Sequence, residues 1–303
     1  MKLCIYRRTL FPILVSLFFL FPGFLLASTL PEESSAPMDA SSIPSVRYWL
    51  SSSVEGLPVR TIQSLENTSV APQRQDPKLL VVLYHNIVFG RTGNIYNRDL
   101  YNFEHDIAFY KRNFTLIDFQ ALQNPDLKDR ADRVIITFDD GDLSIYGIVY
   151  PLLKLYEVPA TFFLVPNFVG EVGYMSWEQI REMSSYRTAS GKKLFTFESH
   201  SLTHRKLADL SEKEIREELL QSKEIIEREV GESVTVIALP FGSGAGDKKI
   251  QAIALELGYT SIRTSLPIVS PYGSLNLLDI GSFNVESYST DVLVQRVLHL
   301  LGR

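Results

Sequence analysis

A chain of 303 residues that is 45% hydrophobic and 21% charged has room for one large domain or two small ones with a substantial core, which excludes disorder throughout. Its formal net charge of -5, with no long run of lysine or arginine, excludes the electrostatic footprint of a DNA- or RNA-binding protein. The one cysteine, Cys4, sits near the N-terminus, so any catalysis further on uses oxygen and nitrogen side chains and no disulfide is expected.

The chain opens with Lys2, Arg7 and Arg8, an apolar stretch from about Leu10 to Leu26, and Ala27 before Ser28. This is the layout of a secretory signal over residues 1–27, with cleavage expected after Ala27 and export to the periplasm, cell surface or medium. A retained membrane anchor is the alternative, although Pro12, Pro22 and Gly23 interrupt the span. Residues 28–77 are rich in Ser, Pro and Glu and are expected to form a linker, with a short docking helix near Arg47 to Ser51. The folded domain is expected over residues 78–303.

Within it, Leu79 to Tyr84 predicts a first strand and His85 to Asn97 a loop. Leu100, Phe103, Ile107 and Tyr110 recur at helical spacing, and Phe114 to Ile117 predicts a second strand. Val134 to Phe138 is the third strand, Leu143 to Tyr156 a helix, Ala160 to Val165 the fourth strand and Trp177 to Met183 a helix. Leu194 to Glu198 is the fifth strand. Ser211-Glu212-Lys213-Glu214 matches a capping box and opens a long helix that Gly231 stops; its Glu and Lys residues read as a solvated face. Val234 to Leu239 is the sixth strand, Lys248 to Leu257 a helix and Tyr259 to Arg263 the seventh strand. Leu278 to Phe283 offers one strand more, and Asp291 to Leu301 a last helix capped near Thr290. Strand and helix alternate, which predicts a parallel sheet or barrel.

Three motifs follow predicted strands directly. Thr137-Phe138-Asp139-Asp140-Gly141 places two adjacent carboxylates at a turn, where their repulsion calls for a positive partner such as a divalent metal. In His200-Ser201-Leu202-Thr203-His204 the two imidazoles converge if the segment is a helical turn. Leu239-Pro240-Phe241-Gly242 forms a tight turn able to aim a backbone N–H at a developing oxyanion. In parallel α/β architectures the rim beyond the strand ends is where active sites are built. One carboxylate with two imidazoles leaves positions open on an ion, and the second carboxylate is then free to take a proton from attacking water.

These motifs, in this order and approximate spacing, resemble the polysaccharide deacetylase family (NodB homology, carbohydrate esterase family 4) over about residues 78 to 285. Leu83-Tyr84-His85, Pro159-Ala160-Thr161-Phe162-Phe163 and Leu257-Gly258-Tyr259 are further stretches of that kind. The resemblance implies an α/β fold, a distorted (β/α) barrel of about seven parallel strands, that removes N-acetyl groups from an N-acetylated glycan. Asp139 would be the general base, Asp140, His200 and His204 would bind one divalent metal, and the Phe241 N–H would stabilise the oxyanion. Zinc is the expected ion, and cobalt, nickel or manganese suit the same donors. Ser201 would add a hydrogen bond behind the ligands.

Two departures from the family pattern stand out. Ala238 occupies the place of an arginine that orients the base, with Arg263 as the candidate substitute. A late Leu-x-x-His motif would supply the general acid, but His299 falls in the predicted C-terminal helix. His85, directly after the first strand, is the better-placed acid, and an early Tyr-His with no arginine in the third motif is similar to exported poly-N-acetylglucosamine deacetylases. His105 reads as a surface or packing residue, and Phe162, Phe163 and Phe168 as core. Packing is the expected role of Tyr174, Trp177 and Tyr272, with stacking on a sugar ring as the alternative. Peptidoglycan, chitin or an O-acetyl ester would suit the same site, and a non-catalytic glycan-binding barrel is the reading that Ala238 encourages.

Overall fold

The computed structural model describes residues 71–303. The expected signal segment, the docking helix near residues 47–51 and the linker up to residue 70 lie outside them. The end of the expected linker, residues 71–77, is tied to the domain: Gln73 forms an antiparallel bridge with Ala131, and Arg74 pairs with Asp132 at 3.3 Å.

In chain order the first elements are β1 (Lys78–Tyr84), β2 (Asn86–Val88), β3 (Asn97–Asp99), α1 (Leu100–Asn113), β4 (Thr115–Leu116) and β5 (Arg133–Phe138). Next come α2 (Tyr150–Leu155), β6 (Ala160–Leu164), α3 (Trp177–Ser185), β7 (Phe195–Ser199) and α4 (Glu212–Val230). The remainder is β8 (Val236–Ala238), α5 (Lys248–Glu256), β9 (Ser261–Arg263), β10 (Ser270–Pro271), β11 (Phe283–Asn284) and α6 (Thr290–Leu301).

All seven expected strands are present, as β1 and β4 to β9, and they pair in parallel. The sheet runs β10-β1-β5-β6-β7-β8-β9, with β11 beside the upper part of β1 and β4 beside the lower part of β5. Only β10 is antiparallel to its neighbour. A parallel bridge from Arg263 to Ile280 leads from β9 toward β11, which curls the sheet back toward β1. The result is the distorted, partly closed barrel that the family resemblance implies.

Parallel strands covered on both faces need apolar residues at successive positions, and the pleat sends alternate ones to opposite sides. Leu80, Val82 and Tyr84 of β1 join Val134, Ile136 and Phe138 of β5 in the layer under the helices. Leu79 and Val81 join Ile135, Phe163, Val236 and Ala238 inside the barrel. Thr137, Asp139 and Arg263 therefore also project to the inner side, by the same alternation.

Local differences from the expected elements have identifiable causes. The predicted loop 85–97 contains β2, which pairs with β3. The predicted helix 143–156 begins as a wider π turn at Ile145–Val149 before α2. The expected strand 278–283 is reduced to the Ile280 bridge and to β11, one residue later. The capping box of α4 forms, and Gly231 ends that helix at φ 75°. Its expected solvated face has an exception, Glu218, which is buried. Among the described residues no helix is long and apolar enough to cross a membrane.

Candidate active site

The C-terminal ends of β1, β5, β7, β8 and β9 surround a cleft of about 470 Å³ lined by His85, Asp139, Asp140, His200, His204 and Phe241, among others. All six residues expected at the site are thus brought together. Trp177, Tyr272 and His299 do not line it. Tyr272 is buried with the Arg133 guanidinium 4.1 Å above its ring, and His299 is exposed on α6. Half-buried Tyr174 packs on Phe168, with ring centres 4.9 Å apart, and His105 packs on Tyr101 at 4.2 Å.

Backbone conformation does much of the positioning. Among the described residues five non-glycine residues have left-handed φ, and four of them, Asp140, Ser201, His204 and Phe241, belong to this site. Such conformations cost about 1–3 kcal/mol each and persist only where the surroundings impose them. After β5, Asp139 N–H bonds to the Tyr84 carbonyl at 3.0 Å, while Asp140 at φ 69° and Gly141 at φ 82° turn the chain at once. That turn lets adjacent carboxylates share one site. The histidine segment is not the helical turn that the four-residue spacing suggests. Ser201 at φ 64° and His204 at φ 61° instead form a compact loop that brings the two imidazole centres within 4.8 Å.

The two aspartates have separate surroundings. Arg263 Nη2 lies 2.6 Å from Asp139 Oδ1 and also contacts Oδ2, with both residues buried. Burial pushes the Asp139 carboxyl up, but the charge of Arg263 leads the opposing effects, its hydrogen bond adds to it, and the group is held below the usual carboxylate range. At Asp140 the His85 and Arg263 charges are the weaker influence. Burial, and then the charge of Asp139, push it up to about 6.

Burial pushes His200 down to about 3, so its imidazole is neutral. Its Nδ1 lies 2.8 Å from the Ala238 carbonyl. A carbonyl only accepts, so Nδ1 carries the hydrogen and Nε2 presents a lone pair to the cleft. Burial lowers His204 as well. His200 Nε2 and His204 Nε2 lie 3.6 and 3.3 Å from Asp140 Oδ1, which is buried without a hydrogen-bond partner. The donor atoms of Asp140, His200 and His204 all lie within 4.8 Å of one another. The His200 lone pair, His204 Nε2 and an unpartnered buried carboxylate oxygen drawn together in this way fit a divalent cation, and one carboxylate with two imidazoles suits an open, catalytic coordination sphere.

Ala238 thus takes part through its carbonyl, while the guanidinium expected at its position comes from β9. Ser201 acts on backbone: its Oγ accepts the His204 N–H at 3.1 Å, and its own N–H donates to Ser199 Oγ at 3.2 Å. Phe241, at φ 58°, is 64% exposed, and its ring centre lies 4.6 Å from that of His204. His85 Nδ1 is buried without a partner, and Tyr96 packs against the ring at 4.8 Å. Tyr96, Asn94, Ser265 and Asn284 also line the cleft, and no motif in the sequence marks them. For Asn284 and Ser265 the signal was available, because they end β11 and follow β9. Tyr96 and Asn94 fall in the predicted loop 85–97, which carries no periodic signal.

The profile of the polysaccharide deacetylase family matches residues 126–262. That range contains Asp139, Asp140, His200, His204 and Phe241, whereas His85 and Arg263 lie beyond it. The chain is 26% identical over 223 residues to YxkH of Bacillus subtilis (strain 168), provisionally named a polysaccharide deacetylase, covering 72% of this chain and 77% of that one. It is 33% identical over 144 residues to a poly-beta-1,6-N-acetyl-D-glucosamine N-deacetylase of Staphylococcus aureus, covering 42% of this chain and 47% of the relative. The match therefore spans about half the length of the staphylococcal enzyme. In fold, the chain is similar to the Streptococcus pyogenes deacetylase PplD, with a TM-score of 0.64, 21% identity, and coverage of 73% of this chain and 99% of that one.

Proposed function

We propose that this chain, which belongs to the polysaccharide deacetylase family, is a metal-dependent hydrolase that removes N-acetyl groups from N-acetylglucosamine units of an extracellular or cell-wall polysaccharide. The observation that carries the reading is the division of labour between adjacent carboxylates. Arg263 keeps Asp139 ionised, with its Oδ2 3.4 Å from His200 Nε2 yet outside the group of three donors that lie within 4.8 Å of one another, and Asp140 faces two neutral imidazoles.

Asp140, His200 and His204 would hold the cation. When bound, that ion would supply Lewis-acid polarisation of the acetyl carbonyl and lower the pKa of water. Asp139, ionised and fixed, takes the proton from water as its oxygen attacks the acetyl carbon. The Phe241 N–H, on a turn held at φ 58°, donates to the oxyanion. His85 delivers a proton to the amide nitrogen as the C–N bond breaks, so that acetate and a free amine leave.

The non-catalytic alternative rested on Ala238, and the contact between Arg263 and Asp139 removes that reason for it. The staphylococcal relative's name supports poly-N-acetylglucosamine as the first substrate to try. The layout of residues 1–27 supports action outside the cytoplasm, with membrane association if that segment is retained. Acetate release from poly-N-acetylglucosamine before and after chelation, with metal then returned, tests the proposal.

A further inference from the structure

Helix α4 turns a buried polar face toward the loop that carries His200 and His204. Glu218 is 2% exposed, although most acidic residues of this helix are more accessible. Its carboxylate accepts the Thr203 N–H at 2.8 Å, accepts the Thr203 hydroxyl, and accepts Arg205 Nε at 3.2 Å. Ser222, one turn further along, is buried and shares a 2.8 Å hydrogen bond with Ser199. Ser199 Oγ accepts the Ser201 N–H, and Ser201 Oγ accepts the His204 N–H. Two residues four apart on one helix face thus fasten both ends of the loop.

This fastening answers a question that the loop's backbone raises. Without a helical turn, four-residue spacing does not itself bring His200 and His204 together. Ser201 and His204 hold left-handed φ values that neither residue favours, so outside contacts must impose them. Thr203 immediately precedes His204, and Glu218 grips it at both amide and hydroxyl. Arg205, on the other side of His204, pairs with Glu218 and, at 3.1 Å, with Glu214 of the α4 capping box.

We propose that Glu218 is a positioning residue for the metal site: by gripping Thr203 it holds His204 in its left-handed conformation, keeps Nε2 beside Asp140 and His200, and so sets the affinity for the divalent ion. The inference rests on the metal-site reading above. Glu218 itself touches neither substrate nor the cation donors.

The test is cobalt binding to the full chain, stripped of metal and titrated with Co²⁺ while visible absorption is recorded well below the unfolding temperature. Glu218→Ala is expected to bind cobalt about 10- to 100-fold more weakly, the usual cost of removing a residue that orients a metal ligand, with an altered d–d band. Glu218→Gln, able to accept from the Thr203 amide and donate to its hydroxyl, is expected to restore most of the affinity. Ile226→Ala, two turns further along α4 in the apolar core, controls for a loss of stability alone and is expected to bind as wild type does. Should Glu218→Ala not fold, Thr203→Val takes its place and is expected to weaken binding several-fold. The inference is overturned if the Glu218→Ala or Thr203→Val protein binds cobalt within twofold of wild type, or if Ile226→Ala weakens binding equally. Wild-type protein that takes up no cobalt would instead refute the metal-site reading itself.

Discussion

Arg263, at the end of β9, reaches Asp139, at the end of β5, through a single nitrogen that contacts both carboxylate oxygens. Its Nε and Nη1 are buried without hydrogen-bond partners, and the guanidinium lies over the Phe163 ring at 5.0 Å. Among the described residues no other acidic side chain is in hydrogen-bond contact with it, so its charge serves Asp139.

Replacing Arg263 with Lys or Ala should therefore raise the Asp139 pKa. In the proposed mechanism Asp139 is the base and works ionised, so its depressed pKa places the acid limb of the rate profile at low pH, and losing the guanidinium moves that limb upward. A shift of about 1–3 pH units is expected for Arg263→Ala, and a smaller one for Arg263→Lys, which keeps charge but not the planar fork. The pH dependence of kcat/KM measures it. An unmoved acid limb in an active Arg263→Ala protein would dissociate this pair from catalysis.

His85 is assigned the proton that the departing amine needs, and that need depends on the substrate. His85→Asn should lower kcat on an N-acetylglucosamine oligomer by about 10²–10⁴-fold. An aryl acetate, whose leaving group departs without a proton, should be hydrolysed nearly as fast as by wild type. Metal content should not change. Equal losses on both substrates would remove His85 from the role of acid.

Glu198, on β7 below the site, is buried and accepts the N–H groups of Thr235 and Val236, each at 2.8 Å. Burial raises its pKa from 4.5 to about 7. A carboxyl raised on folding lends stability below its unfolded pKa, and that contribution is lost as pH rises from about 4.5 through 7. Glu198→Gln keeps the acceptor and removes the ionisation. The variant should match wild type near pH 5 and exceed it by up to about 3 kcal/mol near pH 8, measured by urea denaturation at each pH. A stability difference that does not vary with pH would refute this assignment.

Much of this arrangement is legible in the sequence because its signals are local. Val134 to Phe138 reads as a buried strand from its own composition, and Asp139-Asp140-Gly141 as a turn from its glycine. Arg263 could be singled out because it too ends a strand, although its contact with Asp139 joins positions 124 residues apart. Other features follow from tertiary contacts that no local pattern carries. The spacing of His200 and His204 suggests a helix, yet Glu218 and Ser201 hold a left-handed loop instead. Glu218 and its accessible neighbours on α4 have the same composition, and only the fold distinguishes the buried one. Tyr96 reaches the cleft because β2 and β3 pair across a loop whose sequence has no strong period.

The most direct measurement of the central claim is acetate release from poly-N-acetylglucosamine by stripped and zinc-reloaded protein, wild type beside Asp139→Asn, with bound metal quantified in each sample. The account requires that wild-type release vanish on stripping and return with about one equivalent of zinc, while Asp139→Asn binds the same equivalent and releases acetate at least about 10³-fold more slowly. Undiminished turnover by the stripped protein, or by zinc-loaded Asp139→Asn, would contradict it.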